Sequence, residues 1–208
     1  MPKLDYYFSM VSPWAYIGHE AFMDVVKRNN VEVRYHPVKL LELFEKTGGT
    51  PLPKRHISRK NYRMFEMQRW REKRGLEFDL NPPHWPYNFG MADRIVIAIQ
   101  DSGSDPSGFM GAGYNASWIE GRDMADEGVL TDVLSATGHD AAAIIPSAKS
   151  DAIGTIYETD TETCGGDGVF GSPAYILNDE IFWGQDRLEM LNDALASGRA
   201  PYSANPSA

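Results

Sequence analysis

Ser12 and Pro13 stand where a short β-type segment gives way to a helical pattern. Serine is favoured as the cap of a helix N-terminus, and proline is favoured at the first helical position. The free amides and the dipole at such a helix end stabilise anions, including a thiolate. Ser12 can therefore be a cap alone, which is the commoner role of Ser-Pro at a helix start. Its hydroxyl can also donate a hydrogen bond to the thiolate of a bound ligand.

Two further segments combine glycine with residues suited to ligand binding. Residues 168–173 (GVFGSP) lead into a β-type run, and Pro173 is tolerated there because the first residue of a strand need not donate a ladder bond. Pro173 is either a plain strand entry or a cis-proline that turns the backbone of Ser172 towards a peptide ligand. Residues 182–187 (FWGQDR) precede the last helical pattern, where Asp186 either caps the helix or binds the α-ammonium group of a ligand.

The elements that position these segments follow from residue type and hydrophobic periodicity. The chain opens with a β-type segment and a helix from residue 12 to about 30. A segment in which apolar and polar residues alternate follows. Two short β-type runs and a helix over residues 185–197 close the chain. The predicted strands cover residues 3–9, 31–38, 173–177 and 180–183, with a tight hairpin at Asn178-Asp179.

The middle of the chain has few strand-like runs and predicts a helical block. The Gly- and Ser-rich residues 102–113 predict a mobile loop within it, and the tail over residues 200–208 is expected to be frayed. The predicted helices cover residues 40–46, 58–74, 91–101, 114–121, 129–136, 140–147 and 149–160.

The order of elements predicts the fold. It is strand–helix–strand, then the helical block, then strand–strand–helix, and without the block this is the thioredoxin plan. We therefore predict an α/β protein whose thioredoxin-like fold is interrupted by an inserted all-helical domain. Residues 1–39 and 166–208 would form the thioredoxin-like domain, and residues 40–165 the inserted helical domain.

Composition excludes several classes of protein. The net charge of −9 over 208 residues argues against a general nucleic-acid binder. No apolar run approaches a bilayer span and the N-terminus lacks the apolar region of a secretory signal, so we expect a cytoplasmic protein with no membrane partner. Cys164 is the single cysteine, which excludes dithiol–disulfide exchange. The five histidines have no metal-binding spacing, and we expect no metal site.

The charge is unevenly distributed along the chain. Residues 54–74 hold nine Lys and Arg residues and two Glu residues. Such a stretch can be a solvated helix face paired with the acidic remainder, or a local positive field that attracts a small anion. Binding of RNA is a third interpretation, which the lack of an RNA-binding signature weakens.

Five segments together resemble one family. The resemblance is to the 2-hydroxychromene-2-carboxylate isomerase family. Three of the segments lie outside the helical block: SPWAYIG after the first strand, GVFGSP and FWGQDRL. The other two, EMQRW and WIEGRDMADEGVL, lie within it. This family belongs to the DsbA-like branch of the thioredoxin superfamily that includes kappa-class glutathione transferases. Each motif is short, but their order and spacing make the combination specific, and they cover nearly the whole chain.

The resemblance implies a role for particular residues. Ser12 matches the catalytic serine, which would hold the sulfur of glutathione as a thiolate. Ser172, before the expected cis-proline Pro173, would pair its backbone with that of glutathione. Lys54 would face an anionic group. The remaining matches are Trp183, Gly184, Gln185 and Asp186 at the γ-glutamyl end and Asn88 in the substrate pocket. The loops around residues 81–94 and 101–113 depart from the family pattern, which leaves the identity of the substrate open.

The family reaction interconverts 2-hydroxychromene-2-carboxylate and trans-o-hydroxybenzylidenepyruvate. A nucleophile must add to the conjugated double bond, allow rotation and leave, and a thiolate suits both steps. Cys164 has no identifiable base partner and is interpreted as structural or incidental, so glutathione is the expected cofactor. The substrate carboxylate needs a cation, which Lys54 or the 54–74 stretch offers. Trp14 and Tyr87 are candidates to contact the aromatic ring, although each is more often a packing residue.

Three hypotheses remain from the sequence. The first is a glutathione-dependent isomerase of a small aromatic carboxylate produced by aromatic ring cleavage. The second is a kappa-type glutathione transferase or peroxidase, marked by conjugate accumulation or peroxide reduction. The third is a non-enzymatic peptide-binding protein with a thioredoxin-like fold, which predicts no turnover that depends on Ser12. A homodimer is expected from the resemblance.

Overall fold

A computed structural model describes residues 1–204 of the chain. No helix in this part is long and apolar enough to cross a bilayer. Short 3-10 turns occur at Leu52–Lys54 and Gln185–Arg187. The other elements are β1 (Lys3–Phe8), α1 (Pro13–Asn29), β2 (Glu32–Pro37), α2 (Leu40–Thr47), α3 (Ile57–Arg74), α4 (Gly90–Asp101), α5 (Ser107–Trp118), α6 (Glu127–Ala136), α7 (Ala141–Lys149), α8 (Asp151–Thr163), β3 (Ala174–Leu177), β4 (Glu180–Trp183) and α9 (Leu188–Ser197).

The four strands form one sheet in the order β2-β1-β3-β4. β1 pairs in parallel with β2 across the crossover helix α1, and it pairs antiparallel with β3 on its other side. β3 and β4 form the antiparallel hairpin. The predicted thioredoxin-like fold with a helical insertion is therefore confirmed.

β1 lies in the middle of the sheet and is buried on both faces. Successive strand residues point to opposite faces, so Leu4, Tyr6 and Phe8 enter the large hydrophobic cluster. The Tyr6 ring stacks on Phe8 at 4.5 Å and on Tyr175 of β3 at 5.0 Å between ring centroids. Tyr7 points the other way, into a smaller cluster with residues of α2 and β3. This burial fixes the register of β1, because a one-residue slip would exchange the two faces.

The helices α2 to α8 lie in the chain between β2 and β3, and they pack onto the thioredoxin-like elements. α4 and α8 contact β2, and α5 contacts α1. One hydrophobic cluster holds Phe22 of α1, Ile95 of α4 and Trp118 of α5 together. The division into residues 1–39 plus 166–208 and residues 40–165 stays a prediction, and residues 205–208 lie outside the part that the structure describes.

The prediction of a loop over residues 102–113 is wrong for its second half, because α5 begins at Ser107. Phe109 is buried in the core, and a Cβ on Gly113 would come within 2.8 Å of the Met124 methyl group. Glycine disfavours helices in isolation. Burial of one helix face outweighs that preference, and the small residue at 113 allows the close approach.

The chain reverses between β3 and β4 through Asn178 and Asp179. Both have positive φ values, 51° and 68°, as a two-residue turn between twisted strands requires. The predicted hairpin is confirmed.

The tail is held as far as Tyr202, contrary to the prediction of fraying from residue 200. The Arg199 guanidinium donates two hydrogen bonds to the Glu180 carboxylate, at 2.7 and 2.8 Å. The Tyr202 amide donates to the same carboxylate at 2.9 Å. The rest of the prediction, over residues 205–208, falls outside the described residues.

α1 carries the candidate serine at its start and packs closely on the 3-10 turn before α9. The contact is closest at Gly18, where an added Cβ would lie 2.5 Å from the Cβ of Gln185. Two carbon atoms that are not linked through bonds do not come this close, so α1 or the turn would have to move. A small residue at position 18 therefore sets the distance between α1 and the turn Gln185–Arg187.

We expect Gly18→Ala to lower the free energy of unfolding by about 1–3 kcal/mol, because the overpacking exceeds the helix-propensity gain. Gly108→Ala is the matched control in α5, since a Cβ there meets nothing within 4 Å. That change should raise stability by up to about 1 kcal/mol. Urea unfolding monitored by circular dichroism measures both, and equal effects of the two substitutions would contradict the close contact.

Candidate active site

Ser12 caps α1 and joins it to the strand that follows Ser172. The Ser12 hydroxyl accepts a hydrogen bond from the Ala15 amide and donates to the Ser172 carbonyl, both at 3.3 Å. Ser12 is 2% exposed, and the Ser172–Pro173 peptide bond is cis. Two segments 160 residues apart in sequence therefore meet at the N-terminus of α1.

A cavity of about 520 Å³ opens beside Ser12 and Ser172. Most of its wall is apolar, and the positive charges of Arg55, Lys60 and Arg63 lie at its edge. The other lining residues are Val11, Pro13, Trp14, Leu40, Leu41, Phe44, Leu52, Pro53, Trp85, Pro86, Phe89, Gly171 and Trp183. The cavity can thus hold an apolar molecule that carries a negative group.

A second, more polar cleft of about 310 Å³ lies on the other side of Trp14. It shares Trp14, Ser172 and Trp183 with the apolar cavity, so the two form one continuous groove past Ser12. Its remaining lining residues are Tyr62, Glu66, Trp70, Gly184, Gln185, Asp186 and Arg187. The groove therefore has an apolar end, which Ser12 lines, and a polar end, which meets it at Trp14, Ser172 and Trp183.

Two glycines allow the segment around Trp183 to lie against the cis-proline. A Cβ on Gly171 would lie 2.4 Å from the Trp183 indole nitrogen, so only glycine permits this approach. Gly184 has a φ of 101°, and its amide donates to the Pro173 carbonyl at 2.9 Å. Glycine adopts this backbone conformation at little cost.

Gln185 and Asp186 follow with different surroundings. Gln185 is 2% exposed, and Arg74 donates to its side-chain oxygen at 3.0 Å and to its carbonyl at 3.2 Å. The Asp186 side chain is 41% exposed and pairs with Arg187 at 3.3 Å. Arg74 therefore anchors this turn from α3, while the Asp186 carboxylate stays accessible to a ligand.

The structure places the residues predicted for substrate binding in different surroundings. Trp14 lines the groove. Tyr87 is 6% exposed, and its hydroxyl donates to the Met10 carbonyl at 2.8 Å, so it supports the turn before α1. Lys54 and Asn88 are exposed and are not among the residues that line the cavity. Their predicted roles stay predictions.

The arginines Arg55, Arg59 and Arg63 were not singled out from the sequence. The four-residue spacing of Arg59 and Arg63 places them on one face of α3, and Arg55 lies just before that helix. Nothing in the sequence marks this face as the one that borders a cavity. All three line a further basic cleft that also contains Trp14. Among residues 1–204, the one ion pair formed by the 54–74 stretch joins Arg69 to Glu66. Arg55, Arg59 and Arg63 thus form no ion pair within the described residues.

Arg63 is the most constrained of these cations. Its guanidinium lies over the Trp85 ring at 5.0 Å from the centroid, and its buried Nη2 has no hydrogen-bond partner within the described chain. Burial and the nearby Arg55 lower the pKa of Arg63 to about 10, so it stays charged at neutral pH. An unsatisfied buried donor at a cavity edge favours an anionic ligand.

Cys164 lies away from the groove in the smaller hydrophobic cluster. Its thiol donates to the Thr161 carbonyl at 3.4 Å. Burial raises the pKa of the thiol to about 11, so almost no thiolate forms at neutral pH. The chain does not supply a nucleophilic thiol to the groove from this residue.

Comparison with known proteins agrees with this geometry. The DSBA-like thioredoxin domain profile matches residues 3–196. A 2-hydroxychromene-2-carboxylate isomerase from Sphingobium xenophagum is 28% identical over 92% of this chain and 97% of its own. Glutathione S-transferase kappa 1 from Caenorhabditis elegans is 23% identical over 94% of this chain and 91% of its own.

A solved structure of 2-hydroxychromene-2-carboxylate isomerase superposes with a TM-score of 0.78. It is 26% identical in sequence, and the match covers 94% of this chain and 95% of that one. The profile match and this superposition agree with the resemblance carried by the sequence motifs. The chain belongs to the DSBA-like thioredoxin family, and within it resembles the 2-hydroxychromene-2-carboxylate isomerases.

Proposed function

We propose that this protein is a glutathione-dependent isomerase of 2-hydroxychromene-2-carboxylate-type compounds. The observation that carries the proposal is the position of Ser12, a hydroxyl at a helix N-terminus on the wall of the apolar cavity. It lies beside the Ser172 backbone, which the cavity shares with the polar cleft. The names of the relatives support an isomerase.

The polar end of the groove fits glutathione by its chemistry. The accessible Asp186 carboxylate suits the γ-glutamyl ammonium group. The backbone of Ser172 lies beside the cis-proline, next to Ser12, where a cysteinyl residue would place its sulfur. The kappa-class relative is named as a glutathione transferase. Bound glutathione would supply a thiol that adds reversibly to a conjugated alkene and so permits rotation about it.

The chain's own residues would make that thiol more acidic and hold the substrate. Rotation of the Ser12 hydroxyl from the Ser172 carbonyl towards the sulfur would donate a hydrogen bond to the thiolate. The dipole of α1 adds to this effect. The apolar wall would exclude water, and Trp14 borders both ends of the groove. Arg63 or Arg55 would hold the substrate carboxylate.

A kappa-class-like glutathione transferase or peroxidase is the second candidate, supported by the Caenorhabditis elegans relative. It shares the glutathione end of the groove and differs in the fate of the substrate. Incubation with glutathione and a chromene carboxylate distinguishes the two. An isomerase regenerates free glutathione, whereas a transferase accumulates the conjugate and a peroxidase consumes added peroxide.

Ser12→Ala should bind glutathione but no longer hold it as thiolate at pH 7. The thiolate band near 240 nm would disappear and the isomerisation rate would fall about 100- to 1000-fold, as for the loss of a preorganised donor. Ser150→Ala is the matched control, because Ser150 caps α8 through the same 3.3 Å bond to an amide. Both variants should lose about 0.5–2 kcal/mol of stability, so the control separates capping from catalysis.

Ultraviolet difference spectra measure the thiolate band, and calorimetric titration measures the binding of glutathione. An unchanged thiolate band in Ser12→Ala would refute the role of this hydroxyl. Absence of glutathione binding by the wild type at millimolar concentration would refute both enzyme hypotheses and leave the peptide-binding hypothesis.

Arg63→Met should raise KM for the carboxylate substrate by about ten- to a hundredfold, because a charge-assisted hydrogen bond is lost. Methionine keeps apolar contact with Trp85. The effect should vanish with the carboxamide analogue, and affinity for glutathione should not change. Lys54→Met is the comparison, since Lys54 is exposed outside the cavity. Steady-state kinetics that show the larger loss for Lys54→Met would instead support Lys54 as the anion-binding residue.

A further inference from the structure

Residues 9–12 form the turn between β1 and α1, and side chains from the helical block hold its backbone. The Tyr87 hydroxyl donates to the Met10 carbonyl, and the Trp85 indole donates to the Val11 carbonyl, both at 2.8 Å. Within the turn, the Ser12 amide donates to the Ser9 carbonyl at 3.0 Å. The position of Ser12 thus depends on groups far from it in sequence.

Asp93 of α4 makes the most connections to this turn. One carboxylate oxygen accepts the Met10 amide at 2.7 Å. The other accepts the Ser9 hydroxyl at 3.0 Å and the Tyr157 hydroxyl of α8 at 2.8 Å. Asp93 is completely buried, and among residues 1–204 it forms no ion pair with a cation.

We propose that Asp93 is a positioning residue that sets the place of Ser12 through the turn of residues 9–12. The carboxylate form accepts all three donors at once. A protonated carboxyl must itself donate a hydrogen bond, so Ser9 or Tyr157 would have to turn its own hydroxyl away. The hydrogen bond to that hydroxyl then reverses direction, and the bonds from the Met10 amide and the other hydroxyl lose the assistance of the negative charge. The turn is held less tightly to the helical block, and so is Ser12 against the Ser172 carbonyl.

The titration of this group supports the geometric argument. Desolvation by burial raises the pKa of Asp93 to about 7, although the hydrogen bonds from Met10, Tyr157 and Ser9 oppose that rise. The titratable groups that face it are phenols: Tyr157 of α8, Tyr87 of the preceding loop and Tyr114 of α5. Burial raises the pKa of each of these phenols, so they remain neutral near pH 7.

The sign of the pH dependence follows from the raised pKa. The folded state binds the Asp93 proton more tightly than the unfolded state does, so its contribution to stability is full at low pH. That contribution is lost as the pH rises to about 7. The position of Ser12 that we describe belongs to the carboxylate, and it is populated as the pH rises through about 7.

The experiment follows the Met10 amide by ¹H–¹⁵N NMR between about pH 5 and 9 without glutathione. In the wild type this amide should titrate with a midpoint near 7. Asp93→Asn should abolish the titration, since the amide cannot ionise. Tyr157→Phe should move the midpoint to higher pH, because it removes a hydrogen bond that favours the carboxylate. Asp126→Asn is the control and should leave the titration of the Met10 amide unchanged. Asp126 also accepts a backbone amide, that of Val129 at 3.0 Å, but it does so as the cap of α6.

A second readout connects the turn to the site and rests on the proposed function. In Asp93→Asn the isomerisation kcat should fall about ten- to a hundredfold and lose its step near pH 7, with KM changed less than about twofold. A purely structural role for Asp93 would lower stability and leave the pH profile intact.

The two readouts fail independently. A wild-type Met10 amide that does not titrate, or an unmoved midpoint in Tyr157→Phe, would overturn the role of Asp93 whether or not glutathione binds. A normal titration without any glutathione binding would instead refute the proposed function and leave the Asp93 assignment standing. If Asp93→Asn does not fold, Tyr157→Phe decides the question.

Discussion

The hydrogen bond between the Ser12 hydroxyl and the Ser172 carbonyl joins the two halves of the thioredoxin-like unit at the point where ligands would bind. It requires that α1 begin directly after β1 and that β3 pair next to β1. The central position of β1 supplies both conditions. A helix N-terminus left without backbone partners faces the carbonyl before a cis-proline, and the polar and apolar ends of the groove meet there.

The inserted helices complete this arrangement in two ways. Together with the loop before α4, they line the apolar cavity. Trp85 and Tyr87 of that loop and Asp93 of α4 hold the turn before Ser12. The shared hydrophobic cluster makes the insertion part of one packed core. Because closely packed interiors transmit strain, we expect a change in the insertion to affect the serine.

Charge is distributed to suit an anionic ligand in an acidic protein. Within residues 1–204, the arginines on one face of α3 and just before it that border the groove form no ion pair. Burial and the nearby Arg55 lower the pKa of Arg63, and an anion bound beside the two guanidinium groups would oppose that lowering.

Four features were predictable from sequence, because each depends on local periodicity or on a residue's own backbone preference. They are the order of elements, the cap at Ser12, the hairpin at Asn178-Asp179 and the motif at Pro173. The resemblance of the motifs also indicated the family. The glycine-rich start of α5 was not predictable, since its helix forms through burial against α1 and the loop at Met124.

Only the tertiary structure decided which cations border the cavity and which groups hold the turn before Ser12. Nine Lys and Arg residues crowd residues 54–74, and no local rule distinguishes Arg63 from Lys54 without the Trp85 loop against it. In the sequence, Asp93 is an ordinary residue of a predicted helix. Its role follows only from the packing of α4 against α8, which brings Tyr157 to its carboxylate. Burial and long-range hydrogen bonds depend on contacts between distant segments, and the local pattern of the chain does not encode them.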